Sequence, residues 1–295
     1  MMKRIVVTGA SGVVGSAILE KASGRDDVEI LALSRSADLP ESVGNIRWAC
    51  TDYSEASLTE LLKCANAVIH MAGIKGTKKE LFEYDEDMHM AEALLNASVT
   101  NGVQTFVYAS SRIVYGDPSK VPWTEETVPD PRSAYGKNKL RCEELCRRYS
   151  EEHGLRTVIV RIAQVLSEKD NMRNMVNVFR DLAIQKKQLT VIGKSAARRQ
   201  YIYSRDLADV ICALTDGSGS GCCVVNAGME KSYTNLEIAE AFVKAYEIPH
   251  QVNYDDSAPE TITPSYMDVS RMKELTGIVP ADLDAVLADM AVRQK

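Results

Sequence analysis

Through the first half of the chain, short apolar runs alternate with longer amphipathic stretches. Runs at 5–8, 29–33, 46–50, 67–70, 105–109 and 157–162 predict strands, and helical spacing of apolar positions predicts helices at 13–21, 58–62, 88–100 and 135–152. Phe106-Val107-Tyr108 and Val158-Ile159-Val160 are apolar without alternation, the pattern of strands covered on both faces. A βαβα rhythm of this kind implies the α/β class: a Rossmann-type doubly wound parallel sheet with helices on both faces. Beyond Arg161 the rhythm loosens. Residues 171–187 predict one helix, 188–192 a short strand, 206–214 a helix, 222–226 a strand and 282–292 a last helix. Thr234-Asn235-Leu236-Glu237 has the form of a capping box, opening a helix that runs to Tyr246.

Composition narrows the classes. With 45% hydrophobic and 26% charged residues among 295, the chain is ordinarily globular. No apolar run approaches the ~20 residues needed to span a bilayer. Met1-Met2-Lys3-Arg4 leads straight into the first strand without the architecture of a leader. A cytoplasmic protein without a membrane partner is expected. The net charge of −6 argues against a nucleic-acid partner, which calls for a basic face. The seven cysteines are scattered without a CxxC pair, so no metal site is expected and free thiols fit a reducing compartment. Cys142 and Cys146 share a helical face and suit packing.

Chemistry enters with Thr8-Gly9-Ala10-Ser11-Gly12-Val13-Val14-Gly15, placed between a strand and a helix. Gly9 suits a tight turn, Gly12 a close approach of backbone to a pyrophosphate, and Gly15 close packing of helix on sheet. The free N–H groups of the helix start favour phosphate. Dinucleotide binding is therefore expected at Gly9, Ser11, Gly12, Val13, Val14 and Gly15. The second strand ends in Ser34-Arg35, where an NAD-binding fold usually carries an acid for the ribose hydroxyl. Arg35 could pair with a 2′-phosphate, which leans the choice between NAD and NADP towards NADP. Asp52-Tyr53 follows the third strand, and Asp52 could meet the adenine or serve as a turn residue. Met71-Ala72-Gly73 after the fourth strand lets the chain pass close to a cofactor, with His70 read as structural. Tyr135 and Lys139 stand at i and i+4, on one helix face. A free tyrosine titrates at about 10, and an adjacent ammonium favours its phenolate. Such a pair could take a proton from an alcohol while hydride leaves the same carbon. Ser111, at the end of another strand, could bind the substrate oxygen and relay its proton.

Together these residues resemble the extended short-chain dehydrogenase/reductase family, the NAD-dependent epimerases and dehydratases, and within it the UDP-sugar 4-epimerases. The resemblance extends over nearly the whole chain, through Ser110-Ser111-Arg112-Ile113-Val114-Tyr115-Gly116, residues 114–140 and Arg199-Gln200-Tyr201-Ile202-Tyr203-Ser204-Arg205-Asp206-Leu207. It implies a catalytic Ser111, Tyr135 and Lys139. It also implies a nucleotide-sugar substrate held by Ser111, Arg112, Tyr135, Gln164 and by Arg199 at the diphosphate. Several positions depart from the pattern. Gln164, in the run from Arg161 to Leu166, replaces an Asn that meets the substrate, Asp87 an Asn that supports the central helix, and Ser34-Arg35 the Asp of most NAD-bound epimerases. Arg112-Ile113 stands where 4,6-dehydratases carry an Asp-Glu pair, which sets that subtype aside.

The expected organisation is a dinucleotide-binding domain of residues 1–160 and 200–227 and a smaller substrate lobe of 161–199 and 228–295. The expected activity is nucleotide-sugar epimerisation, at C4 of a UDP-sugar through a keto intermediate. The alternatives are an NADP-dependent reductase or dehydrogenase of a sugar or nucleotide sugar, and a non-catalytic dinucleotide sensor. The helices at 88–100 and 135–152 could form the face of a homodimer.

Overall fold

The computed structural model describes residues 2–74, 80–259 and 262–294. The first half runs β1 (Lys3–Thr8), α1 (Val13–Ala22), β2 (Val28–Ser34), β3 (Ile46–Cys50), α2 (Glu55–Leu61), β4 (Ala67–His70), α3 (Asp85–Thr100), β5 (Thr105–Ser111), α4 (Ala134–His153) and β6 (Arg156–Ile162). The second half runs β7 (Gln164–Leu166), α5 (Met175–Ile184), β8 (Thr190–Ile192), β9 (Arg199–Tyr203), α6 (Ser204–Asp216), β10 (Cys222–Ala227), β11 (Ser232–Tyr233), α7 (Asn235–Ala245), β12 (Asn253–Asp255), α8 (Ser270–Thr276) and α9 (Leu283–Arg293).

Seven strands form one parallel sheet in the order β10-β6-β5-β4-β1-β2-β3. Both faces of the central strands are covered, which is why their middles are apolar, while the edge strand β3 is partly exposed. One face buries Val7, Ile30 and Val160 against α1 and α6. The other buries Val6, Phe106 and Ile159 beneath α2, α3 and α4, with the free thiols of Cys142 and Cys146 in the same layer. This is the Rossmann-type doubly wound fold. From β1 the chain builds outwards to β2 and β3, then returns to β4 on the other side. Ligands in such sheets bind at the carboxyl ends of the strands, at that reversal. Thr8, His70 and Ser111 are the last residues of β1, β4 and β5.

Two small sheets lie outside the main one: β11-β9-β7, and the parallel pair β12-β8. Their core packs α5, α7 and α9 through Phe179, Phe242 and Leu287. Here the helix expected at 171–187 is corrected. Helix α5 begins only at Met175, because side chains fold the preceding residues into turns: Asp170 accepts from the Met172 N–H at 3.1 Å, and Asn174 caps the Asn177 N–H. The expected strand at 188–192 shortens to β8.

Candidate active site

The glycine loop is held against the loop after β4. Gly9 has φ +64°, and a methyl group there would meet the Ala72 nitrogen at 2.6 Å. A methyl at Gly15 would stand 2.2 Å from the Gly9 carbonyl oxygen, so α1 can pack on the loop only through glycine. Gly12 differs. A methyl group there would meet the Gly9 oxygen at 3.1 Å, and Gly12 is the N-cap of α1 with no side-chain cap. The N–H groups of Val13, Val14 and Gly15 form the uncapped first turn of a helix, which suits an anion. These residues fit a pyrophosphate. Thr8 ties the two loops together: its hydroxyl accepts from the Ala72 N–H at 3.2 Å and bonds His70 Nδ1 at 2.8 Å. His70 is fully buried, and burial, aided by the charge of Lys139, pushes it down to about 3. It is therefore neutral and structural.

Helix α4 carries the next pair. Ser133 caps it by accepting from the Gly136 N–H, which sets Tyr135 in the first turn and Lys139 one turn on. Lys139 is buried; its Nζ donates to the Ala109 carbonyl at 2.9 Å and lies 5.8 Å from the centre of the Tyr135 ring. A methyl on Gly73 would touch Lys139 Nζ at 3.5 Å and the Asp87 carboxylate at 3.6 Å. Asp87 accepts from Asn138 Nδ2 at 3.1 Å and from the Ile74 N–H at 2.9 Å, so a carboxylate supports α4 here. Burial pushes its carboxyl up, with the charge of Lys139 opposing.

Under this pair lies a buried network. Glu143 accepts from Ser110 Oγ at 2.5 Å and from Arg161 Nε and Nη2 at 3.0 and 2.7 Å. Arg161 and Glu143 are 1% and 0% exposed. The network locks β5, α4 and β6 together, and with them the relative placement of Ser111 and Tyr135. The Ser111 hydroxyl accepts a long bond, 3.4 Å, from the Ile113 N–H.

A cavity of about 270 Å³ gathers these parts. Gly9, Gly12, Val13, Val14, Gly15, Met71, Gly73, Ser111, Tyr135 and Lys139 all line it. Ala109, Ala163, Asp170 and Met172, which the sequence did not single out, line it too. Other expected residues lie elsewhere. Ser11 is exposed at the loop tip, and Ala72 sits behind Met71 with its N–H bonded to Thr8. Ser34 accepts from the Ser36 N–H, and Arg35 pairs with Glu86 at 2.5 Å, both about two-thirds exposed. Asp52 is exposed and accepts from the Ser54 N–H at 2.9 Å, which holds its carboxyl below the ordinary range. Tyr53 beside it is half-buried with φ 59°. Gln164 begins β7, but its neighbours Ala163 and Val165 line the cavity and it does not. Arg112 and Arg199 line a second cavity of about 390 Å³. A larger groove of about 850 Å³ contains none of the glycine loop, Ser111, Tyr135 or Lys139. Several of its charges pair with one another, as in Arg198–Glu237, Lys244–Asp284 and Lys273–Glu230.

A sequence model of the "NAD dependent epimerase/dehydratase family" matches residues 5–228, the stretch holding the glycine loop, Ser111, Tyr135 and Lys139. The chain belongs to this family. Among its relatives is UDP-glucose 4-epimerase 2 of Oryza sativa subsp. japonica, 28% identical over 284 residues covering 83% of this chain and 70% of that protein. The UDP-glucose 4-epimerase of Azospirillum brasilense is 26% identical, covering 94% and 87%. The crystal structure of UDP-N-acetylglucosamine 4-epimerase from Bacillus cereus superposes with a TM-score of 0.89 at 26% identity, covering 99% of this chain and 96% of that one. As a member of the NAD dependent epimerase/dehydratase family, the chain sets its glycine loop and the Ser-Tyr-Lys group around one cavity. Among the described residues no group of His, Cys, Asp and Glu could hold a metal ion, and no helix is long and apolar enough to cross a membrane.

Proposed function

We propose that this chain is a nucleotide-sugar epimerase acting at C4 of a UDP-sugar. The observation that carries the reading is the single cavity that joins the uncapped first turn of α1 to Ser111, Tyr135 and Lys139. Relatives named as UDP-glucose 4-epimerases support it. The first turn of α1 would hold the pyrophosphate of a dinucleotide, with Ser34, Arg35, Asp52 and Tyr53 at its adenosine end and Met71 and Gly73 beside its nicotinamide. When bound, the dinucleotide supplies reversible two-electron oxidation of a carbinol carbon. Tyr135 takes the proton of the 4-hydroxyl and later returns it, and Ser111 holds that oxygen by hydrogen bond. Lys139, fixed by Ala109, brings a positive charge near the phenol. Arg199 grips the substrate diphosphate. The oxidised sugar, tethered there, turns to present its other face. The 4,6-dehydratase reaction lacks its acid–base pair, because Arg112 and Ile113 occupy those positions.

Arg35 favours a second reading, an NADP-dependent reductase or dehydrogenase. No acid stands at the end of β2, and the exposed Arg35–Glu86 pair is weak enough to exchange for a 2′-phosphate. One experiment separates the two. The purified protein is denatured, the released dinucleotide identified, and the native protein incubated with UDP-glucose, UDP-N-acetylglucosamine and UDP-glucuronate. An epimerase releases oxidised dinucleotide and interconverts C4 epimers without added cofactor. A protein that purifies empty and consumes added NADPH is a reductase.

A further inference from the structure

The second cavity is unusual in its charge. Arg112, Arg132 and Arg199 line it, with Ser265, Thr263 and Trp123 completing the wall, and none of the described lining residues is acidic. Several other arginines of the fold sit beside carboxylates: Arg161 with Glu143, Arg198 with Glu237, Arg205 with Glu20, Arg271 with Glu126. The cavity arginines form no ion pair among the described residues. Arg112 donates to the Ser265 hydroxyl, a neutral partner. Burial and the neighbouring Arg199 push the Arg112 guanidinium down to about 10. Gathering three guanidiniums with no counter-charge among the described residues is unfavourable, and an anion relieves it.

The cavity adjoins the catalytic one along the chain. Arg112 is the residue after Ser111, and Arg132 and Ser133 directly precede the turn of α4 that carries Tyr135. Arg199 starts β9, bridged to Ser265. If Arg199 meets the diphosphate, with Arg132 at the exposed mouth beside it, the guanidinium of the residue next to the reacting serine remains without an acidic partner among the described residues. Ser111 lines the catalytic cavity and Arg112 the second one, so consecutive residues join the two.

We propose that the sugar of the substrate is acidic, a hexuronate-type nucleotide sugar whose carboxylate is bound by Arg112. The proposal rests on the nucleotide-sugar reading and names its substrate class. Arg112 then serves as a specificity residue. It supplies the planar donor fork that a carboxylate matches and a neutral hydroxymethyl group does not.

The test compares binding of UDP-glucuronate and UDP-glucose to the dinucleotide-loaded protein by calorimetry, with C4 epimerisation of each followed by NMR. The native protein should bind UDP-glucuronate at least ~10-fold more tightly. Arg112→Gln should remove that preference, Arg112→Lys should keep part of it, and Arg199→Gln should weaken both ligands alike; thermal melts verify that each variant folds. Equal binding by the native protein, tighter binding of UDP-glucose, or a preference that survives Arg112→Gln would overturn the proposal. Epimerisation of UDP-glucose alone defeats the acidic-sugar proposal and leaves the epimerase reading standing. Binding of both ligands with turnover of neither defeats the epimerase reading itself.

Discussion

Arg35 and His70 show how neighbours decide what a residue does. Arg35 stands where its charge could choose the cofactor, yet Glu86 holds it in an exposed pair. Such pairs contribute about 1 kcal/mol or less, so a ligand phosphate can displace the carboxylate. Arg35→Ala should weaken NADP binding about 10-fold more than NAD binding in fluorescence titrations; equal weakening would make Arg35 a surface cation only. His70 is set by burial. Its ordinary value of 6.5 falls to about 3 in the folded protein. Its folded value is depressed, so the unfolded chain takes up a proton that the native protein refuses. The contribution of His70 is complete above about 6.5 and is lost as pH falls towards about 3. Urea unfolding at several pH values should show the native protein losing up to ~1.4 kcal/mol per pH unit through this group between pH 6 and 4. His70→Asn should remove that component of the slope. An unchanged slope would mean that His70 is protonated in the fold.

Among the elements, the hinge between loop and helix matters most. Gly15 sits where any side chain must move the Gly9 carbonyl or lift α1 off the loop. Gly15→Ala should cost about 1–3 kcal/mol of stability through overpacking and weaken dinucleotide binding at least ~10-fold, because the N–H groups of the first turn shift with the helix. Normal affinity with normal stability would remove α1 from the cofactor site. The same elements show what a sequence can disclose. The central strands among β1 to β6 were legible because buried parallel strands are apolar through their middles and the helices between them keep their period. β7, β8 and β12 are three residues each and β11 is two, too short to show a period, and they form by pairing with distant segments. Asn174 delayed the start of the expected helix because capping outweighed apolar spacing. In the site, Ser111, Tyr135 and Lys139 were legible from their order and spacing. Asp170 and Met172 were not, since a loop reaches the cavity only by tertiary folding. Arg132 joins Arg112 and Arg199 by the same route.

At the scale of the whole molecule, the parallel sheet places the glycine loop and the ends of β4 and β5 along one edge. The buried Glu143–Arg161–Ser110 network holds α4 against that edge. α3 and α4 pack side by side, joined by Arg141–Asp85 and Arg148–Glu92, and this pair is proposed as the face of a homodimer. The central claim is that this assembly brings Tyr135 to a substrate hydroxyl beside a bound dinucleotide. Tyr135→Phe keeps the ring and its 6.0 Å contact with Tyr84 and removes only the ionisable oxygen. The most direct measurement is the turnover of this variant in C4 epimerisation, set beside the dinucleotide content of the same preparation. The account predicts a loss of ~10²–10⁴-fold in kcat with native dinucleotide content and an unchanged melting temperature, because the phenolate acts in the transition state more than in the ground state. Near-native turnover by Tyr135→Phe would contradict it.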